Sequence, residues 1–128
     1  MRTDARRSLG ELGEHLACEH LEARGLEILE RNFRTDRGEL DVVARDERFL
    51  VFCEVKTRIL SGERGCPLGP FASIGRRKRW RVRLMARRWL AIRSVPPPHP
   101  PEIRFDAIGV ELDACGRLIR LEHLEDAF

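Results

Sequence analysis

Two neighbouring stretches, "GELDVVA" at 38–44 and "FLVFCEVKT" at 49–57, constrain the fold of this 128-residue chain more than anything else in it. Both are rich in β-branched and aromatic residues. With "RDER" turning between them they read as a β-hairpin. Side chains alternate along a strand. In the first strand Leu40, Val42 and Ala44 share one face, and Glu39, Asp41 and Val43 share the other. In the second, Val51, Cys53 and Val55 oppose Leu50, Phe52, Glu54 and Lys56. Each strand thus has one wholly apolar face and one that is apolar near the turn and charged away from it. A one-residue slip exchanges the faces. It would set Asp41 among Val51, Cys53 and Val55, where a carboxylate is costly. The in-phase register places Val43 beside Leu50 or Phe52. It gathers Glu39, Asp41, Glu54 and Lys56 at the open end.

Three crowded carboxylates repel one another unless a proton or cation intervenes. Lys56 offers one charge, and a divalent cation offers more. Oxygen donors without sulfur or histidine suit Mg²⁺ or Mn²⁺ better than zinc. Glu14, at the edge of the apolar arc of an N-terminal helix, is placed to lean over the sheet. The competing reading is a solvated ion pair at a strand end, which contributes little. The lysine itself stands out, because only Lys56 and Lys78 among 24 basic residues are lysines. Arginine is a fixed, always-charged fork, whereas a lysine pKa responds to its surroundings.

The hairpin sits in a chain of order α-β-β-β-α-β-β. Ser8 and Glu11 have the spacing of a capping box, and a helix is expected from Leu9 to Ala23 with Gly25 as its C-cap. "LEILERNF" reads as the first strand. Glycines and prolines between Gly62 and Pro70 mark a loop, and a second helix is expected from Ala72 to Ile92. Val82, Met85, Trp89 and Ile92 form its apolar face. The proline-rich segment 95–101 is a stiff connector. "IRFDAIGVEL" and "RLIRLEHL" are the last two strands. Residues 1–128 form one domain of α/β or α+β class with a mixed or antiparallel sheet. No apolar run is long enough to span a membrane, and no signal peptide is evident, so cytoplasmic residence is expected. Cys18, Cys53, Cys66 and Cys115 are too scattered for a zinc site or a disulfide framework.

Charge is unevenly spread. Arg76 to Arg93 contains nine basic residues and no acidic one, which leaves the rest of the chain at −6 against a total of +3. Arg76, Arg79, Arg83 and Arg87 form one helical stripe, widened by Arg77, Lys78, Arg81 and Arg88. Such a stripe is suited to a phosphate backbone. A solvated face balanced by acid elsewhere is the alternative. Trp80 falls on the basic side, where it either stacks on a base or packs against a neighbour.

"GEHLA", "RNFR", "GELDVV", "VFCEVKTR", "ASIGRRKRW", "RFDAIGV" and the closing "HLEDAF" occur in the order of the YraN-like family, which the chain resembles over almost its whole length. That resemblance implies a restriction-endonuclease-like fold, with a central mixed five-stranded sheet flanked by helices, similar to archaeal Holliday-junction resolvases. It implies metal-dependent hydrolysis of phosphodiester bonds in DNA, including branched DNA. Asp41 and Glu54 would be metal carboxylates, and the Val55 carbonyl a further ligand. Lys56 would act on the attacking water. Glu14 would be the extra carboxylate, and Glu39 belongs to the same pattern. Arg76, Lys78, Arg79, Arg83 and Arg87 would meet nucleic acid. A homodimer is also implied, since two strands must be cut. Fold does not dictate activity. A non-catalytic nucleic-acid-binding protein of the same fold, or an assembly protein with an acidic partner, would share these features. Two departures are Cys53, where a small branched residue is expected, and Asp126, where asparagine is commoner.

Overall fold

The computed structural model describes residues 2–60 and 76–128, with side chains from 8 to 60 and from 79 to 128. The expected loop at 62–70, the helix start at Ala72, Cys66 and the side chains of Arg76, Arg77 and Lys78 lie outside the described residues. The elements run α1 (Arg2–Ala23), β1 (Glu27–Thr35), β2 (Gly38–Arg45), β3 (Phe49–Ile59), α2 (Arg76–Ile92), β4 (Glu102–Leu112) and β5 (Leu118–Leu124). The strands form one five-stranded sheet in sequence order. β3 and β4 are parallel and every other neighbouring pair is antiparallel, so the sheet is mixed. The chain leaves β3 and returns to β4 through α2, as a parallel pair requires a long crossover.

α1 covers one face of the sheet and α2 the other. Ala17, Cys18 and Leu21 of α1 pack on Val42, Ala44, Val51, Cys53 and Ile108. Val82, Met85, Ala86 and Trp89 of α2 pack on Leu40, Val43, Leu50 and Phe52. Ile92, expected on this apolar face, is instead 60 % exposed at the helix end. Among the described residues no helix is long and apolar enough to cross a membrane.

The C-terminus of α1 closes as expected at Gly25, whose φ is 89°. Gly25 N–H donates to the Glu22 carbonyl and Leu26 N–H to the Leu21 carbonyl, the two bonds of a Schellman motif. Its start differs from expectation. The helix begins at Arg2, so Ser8 lies inside it and the Ser8–Glu11 spacing is no cap. Arginine and alanine in the preceding turns are good helix formers, and an exposed interior serine costs little.

Gly13 sets how closely α1 approaches the sheet. A Cβ there would stand 1.8 Å from Thr57 Oγ1 and 2.9 Å from Thr57 Cβ, so only glycine lets the helix touch β3 at this point. Gly13→Ala should therefore cost about 1–3 kcal/mol through overpacking. Urea denaturation reads this directly, and an unchanged midpoint would show that α1 can shift freely.

The hairpin pairs in phase, with Val43 opposite Phe52 and Val42 opposite Cys53. The expected alternation along β2 is broken, however. Leu40 packs on the α2 side, yet Val42 and Ala44 pack on the α1 side. Leu40, Val42 and Ala44 therefore do not share a face, and Asp41 does not share one with Val43. The cause lies opposite, in β1. Asn32 adopts a φ of 54°, a left-handed conformation that asparagine tolerates. The ladder pairs Arg31 with Val42 and Phe33 with Leu40, omitting Asn32 with Asp41. The register is the same on either side of this point, but side-chain alternation reverses across it, and Asp41 turns toward α1.

Candidate functional site

The β2–β3 ladder ends at Val42 and Cys53. Beyond that point the Asp41 carboxylate takes the place of backbone pairing, its Oδ2 accepting from Val55 N–H at 2.8 Å. Asp41 is only 9 % exposed. Burial pushes its pKa up from 3.8 to about 7. The Val55 hydrogen bond opposes that rise, while Glu54, Glu14 and Glu39 add to it through like charge.

Glu14, Glu39, Asp41, Glu54 and Val55 line one cavity, with Leu9 and Gly10 of α1 at its margin. Glu14 reaches it because Gly13 lets α1 lie close. Burial raises the Glu14 pKa as well, and Asn32 and Arg31 pull against it. The nearest Arg31 nitrogen stands 4.0 Å from Glu14 Oε2, and that buried oxygen has no hydrogen-bond partner. Glu39 meets Arg34 at 3.2 Å in an exposed pair. Lys56 follows Val55 on β3, half-buried and beside Gly109 of β4. Among the described residues the lining of the acidic cavity runs through Glu54, Val55 and Thr57 and skips Lys56.

Glu39 and Glu54 also line a second, adjoining cavity, together with Arg34, Arg81 and Val82. The acidic site thus opens directly onto the basic helix. Arg79, Arg81 and Arg87 are exposed. Trp80 is 64 % exposed and so does not pack into the fold. Arg83 is engaged elsewhere. Its Nη2 donates to the Phe128 carbonyl at 2.7 Å and its guanidinium lies over the Phe105 ring, 4.7 Å from the centroid.

The Uncharacterised protein family UPF0102 matches residues 13–110. The chain belongs to this family. A UPF0102 protein of Parafrankia sp. strain EAN1pec is 49 % identical over 121 residues, covering 94 % of this chain and 95 % of the relative. One from Frankia alni is 47 % identical over 126 residues, covering 97 % of each. A more distant one, from Pelotomaculum thermopropionicum, is 42 % identical over 125 residues, covering 98 % of each. The likeness to YraN-like proteins seen in the motifs is thereby met.

In this UPF0102 chain the side-chain donors lining the acidic cavity are oxygens, the kind a hard divalent cation takes. Burial first, and then like charge, raise the Asp41 pKa to about 7, and the buried Glu14 Oε2 lacks a hydrogen-bond partner. Asp41, Glu54 and the Val55 carbonyl would hold the ion. Among the described residues no three His, Cys, Asp or Glu side chains are drawn tightly enough to enclose one.

A second polar cluster went unread in the UPF0102 sequence. Asp106, in the middle of β4, is fully buried. Arg104 Nε and Nη2 donate to it at 2.9 Å, His123 Nε2 lies 2.7 Å from its Oδ2, and Asp126 N–H donates at 3.0 Å. His123 Nδ1 lies 3.0 Å from His20 Nε2 of α1. His123 thus bridges Asp106 of β4 and His20 of α1. The available signal was an aspartate inside the apolar run "FDAIGV". The cluster fastens the C-terminal tail, because Ala127 N–H donates to the Phe105 carbonyl and Phe128 is buried. Asp126 has a φ of 53°, which explains why asparagine suits that position. Cys53 lies between the two acidic regions. Burial, then Asp106 and Asp41, push its thiol pKa well up, so it stays protonated.

Proposed function

We propose that this protein is a metal-dependent endonuclease that hydrolyses phosphodiester bonds in DNA. The observation that carries the reading is the junction of an open acidic cavity, with the buried Asp41 in its lining, and the basic helix through the shared residues Glu39 and Glu54. Mg²⁺ or Mn²⁺, when bound, would supply charge compensation for the phosphate and a more acidic water.

The chain's own groups do the rest. Arg79, Arg81 and Arg87 bind the phosphate backbone, together with Arg76 and Lys78 earlier on the same helix. Arg83 contributes chiefly by holding the C-terminus to α2. The Asp41 carboxylate is kept in place by Val55 N–H, and Glu54 lines the same cavity. Lys56 Nζ orients the attacking water and steadies the charge that develops. Glu14 and Glu39 complete the negative field that selects a divalent cation. Cutting both strands of a duplex or a junction takes two such sites, which a homodimer would supply. The reaction belongs in the cytoplasm, where chromosomal DNA lies.

The test is cleavage of linear, single-stranded and four-way-junction DNA with Mg²⁺, with Mn²⁺ and with chelator. Metal-dependent cutting by the wild type, lost in Asp41→Ala, is expected. Lys56→Arg should keep DNA affinity and lose about 10²–10⁴-fold in rate, the usual range for a positioned proton-transfer group. Full activity in Lys56→Arg would mean that charge alone matters there. DNA binding without cutting, unchanged in Asp41→Ala, would make the protein a non-catalytic nucleic-acid-binding module.

A further inference from the structure

β5 closes one end of the sheet, and among the described residues its only ladder is the one to β4. An edge strand presents unused N–H and C=O groups, and natural edges are usually blunted by charge, proline or a covering element. This edge keeps apolar side chains at the surface. Leu118 is 47 %, Ile119 53 % and Leu124 38 % exposed.

The order of residues is informative. Within Leu-Ile-Arg-Leu-Glu-His-Leu the central Arg120-Leu121-Glu122 is self-complementary about Leu121. An isologous contact sets residue i against j and j against i. In an antiparallel pairing of two β5 strands centred on Leu121, Arg120 would meet Glu122, and Leu121 would meet its own copy. Arg120 and Glu122 already form an exposed pair at 3.3 Å within one strand. Across the two-fold axis the four charges would then alternate in sign. Opposite charges directly across a ladder are favourable and like charges are not. The β4–β5 ladder passes from Arg120 to Leu118 and skips Ile119, so β5 bulges there, and only the stretch from Arg120 to Leu124 keeps regular register. A foreign strand would have no use for this antisymmetry, and a second copy of the same strand has.

We infer that β5 is the homodimer interface, joining two copies edge to edge in one continuous sheet. The interface does not depend on the endonuclease reading, because neither Arg120 nor Glu122 belongs to the acidic cavity or the basic helix.

Sedimentation velocity of the full chain across the micromolar range tests it. The wild type is expected to dimerise. Arg120→Glu alone, and Glu122→Arg alone, should each raise the dissociation constant about tenfold or more by placing like charges opposite one another. The double exchange Arg120→Glu with Glu122→Arg should restore it. Both side chains reach solvent, at 59 % and 34 % exposure, so the fold is not at stake. A wild type that stays monomeric throughout would overturn the inference. So would a dimer indifferent to either single exchange, or one that the double exchange fails to rescue.

Discussion

In chelator at pH 8, Asp41→Asn is expected to be more stable than the wild type, by up to about 4 kcal/mol. The figure follows from a carboxyl pushed from 3.8 to about 7, at about 1.4 kcal/mol per unit of pKa. The sign is set by linkage. A group whose folded pKa is raised favours the folded state while it is protonated, below its ordinary value near pH 4. That contribution is lost as pH rises through about 7. Glu14 shifts the same way, also through burial first. Asparagine stays neutral at every pH and can still accept from Val55 N–H, so the two proteins should be nearly equal at pH 4 and diverge toward pH 8. Urea unfolding at a series of pH values reads the difference. A wild type whose deficit against Asp41→Asn fails to grow from pH 4 to 8 without metal would rule out burial as the dominant cause at Asp41. If the cavity takes a divalent cation, Mg²⁺ should stabilise the wild type at pH 8 and leave Asp41→Asn unmoved.

Removing Asp106 should have an effect of similar size and opposite pH dependence. Asp106→Ala strands Arg104, His123 and the Asp126 N–H together, and breaking a buried ion pair in this way costs about 3–5 kcal/mol. Burial works against the charged form of Asp106. Hydrogen bonds from His123, Arg104 and Asp126 overcome it and hold the pKa below the ordinary carboxylate range. A lowered carboxyl pKa stabilises the fold above its ordinary value, near pH 4, and that stability is lost on acidification through the folded value. His20 acts on the same limb. Burial first, then His123 and Arg24, lower its pKa, so its protonation below about pH 6.5 opposes folding. The expected result is a wild type that loses stability in acid and a variant that starts lower and changes less. Near-UV circular dichroism should also report the tail, because Phe128 and Trp89 belong to the same core. A variant with wild-type stability at pH 7 would mean that solvent replaces the whole cluster at no cost.

The two limbs belong to two parts of the sheet that differ in legibility. The order of elements, the hairpin register and the C-cap at Gly25 all follow from short-range rules. Apolar alternation chooses between strand registers because a slip exposes one face and buries charge on the other. A glycine two residues past a helix end relieves a left-handed strain that other residues pay for. Pairing of the two patterned strands brought Glu39, Asp41, Glu54 and Lys56 to the open end of the hairpin, but the β2–β3 ladder stops at Val42 and Cys53, so the cavity shared by Glu39, Asp41 and Glu54 rests on more than that pairing.

What alternation could not reveal was the side on which Asp41 lies. Asn32 in β1 takes a left-handed conformation, and side-chain alternation in the strand opposite reverses at Asp41 without any change of register. Asparagine allows that conformation and does not compel it, so no pattern in β2 announces the reversal. Glu14 was likewise placed only by the approach of α1 over Thr57. Arg83 belonged to the basic stripe by periodicity, but its partner is a carbonyl 45 residues away. His20, Asp106 and His123 come from three different elements, and nothing in their spacing foretells that they touch. The sequence by itself determined the elements, their register and the chemical types available at the strand ends, because those rest on local periodicity. Only the tertiary structure decided which of those groups share a cavity, which are withdrawn to hold the C-terminus, and how far burial moves their pKa values, because desolvation and contact depend on what the rest of the chain brings alongside.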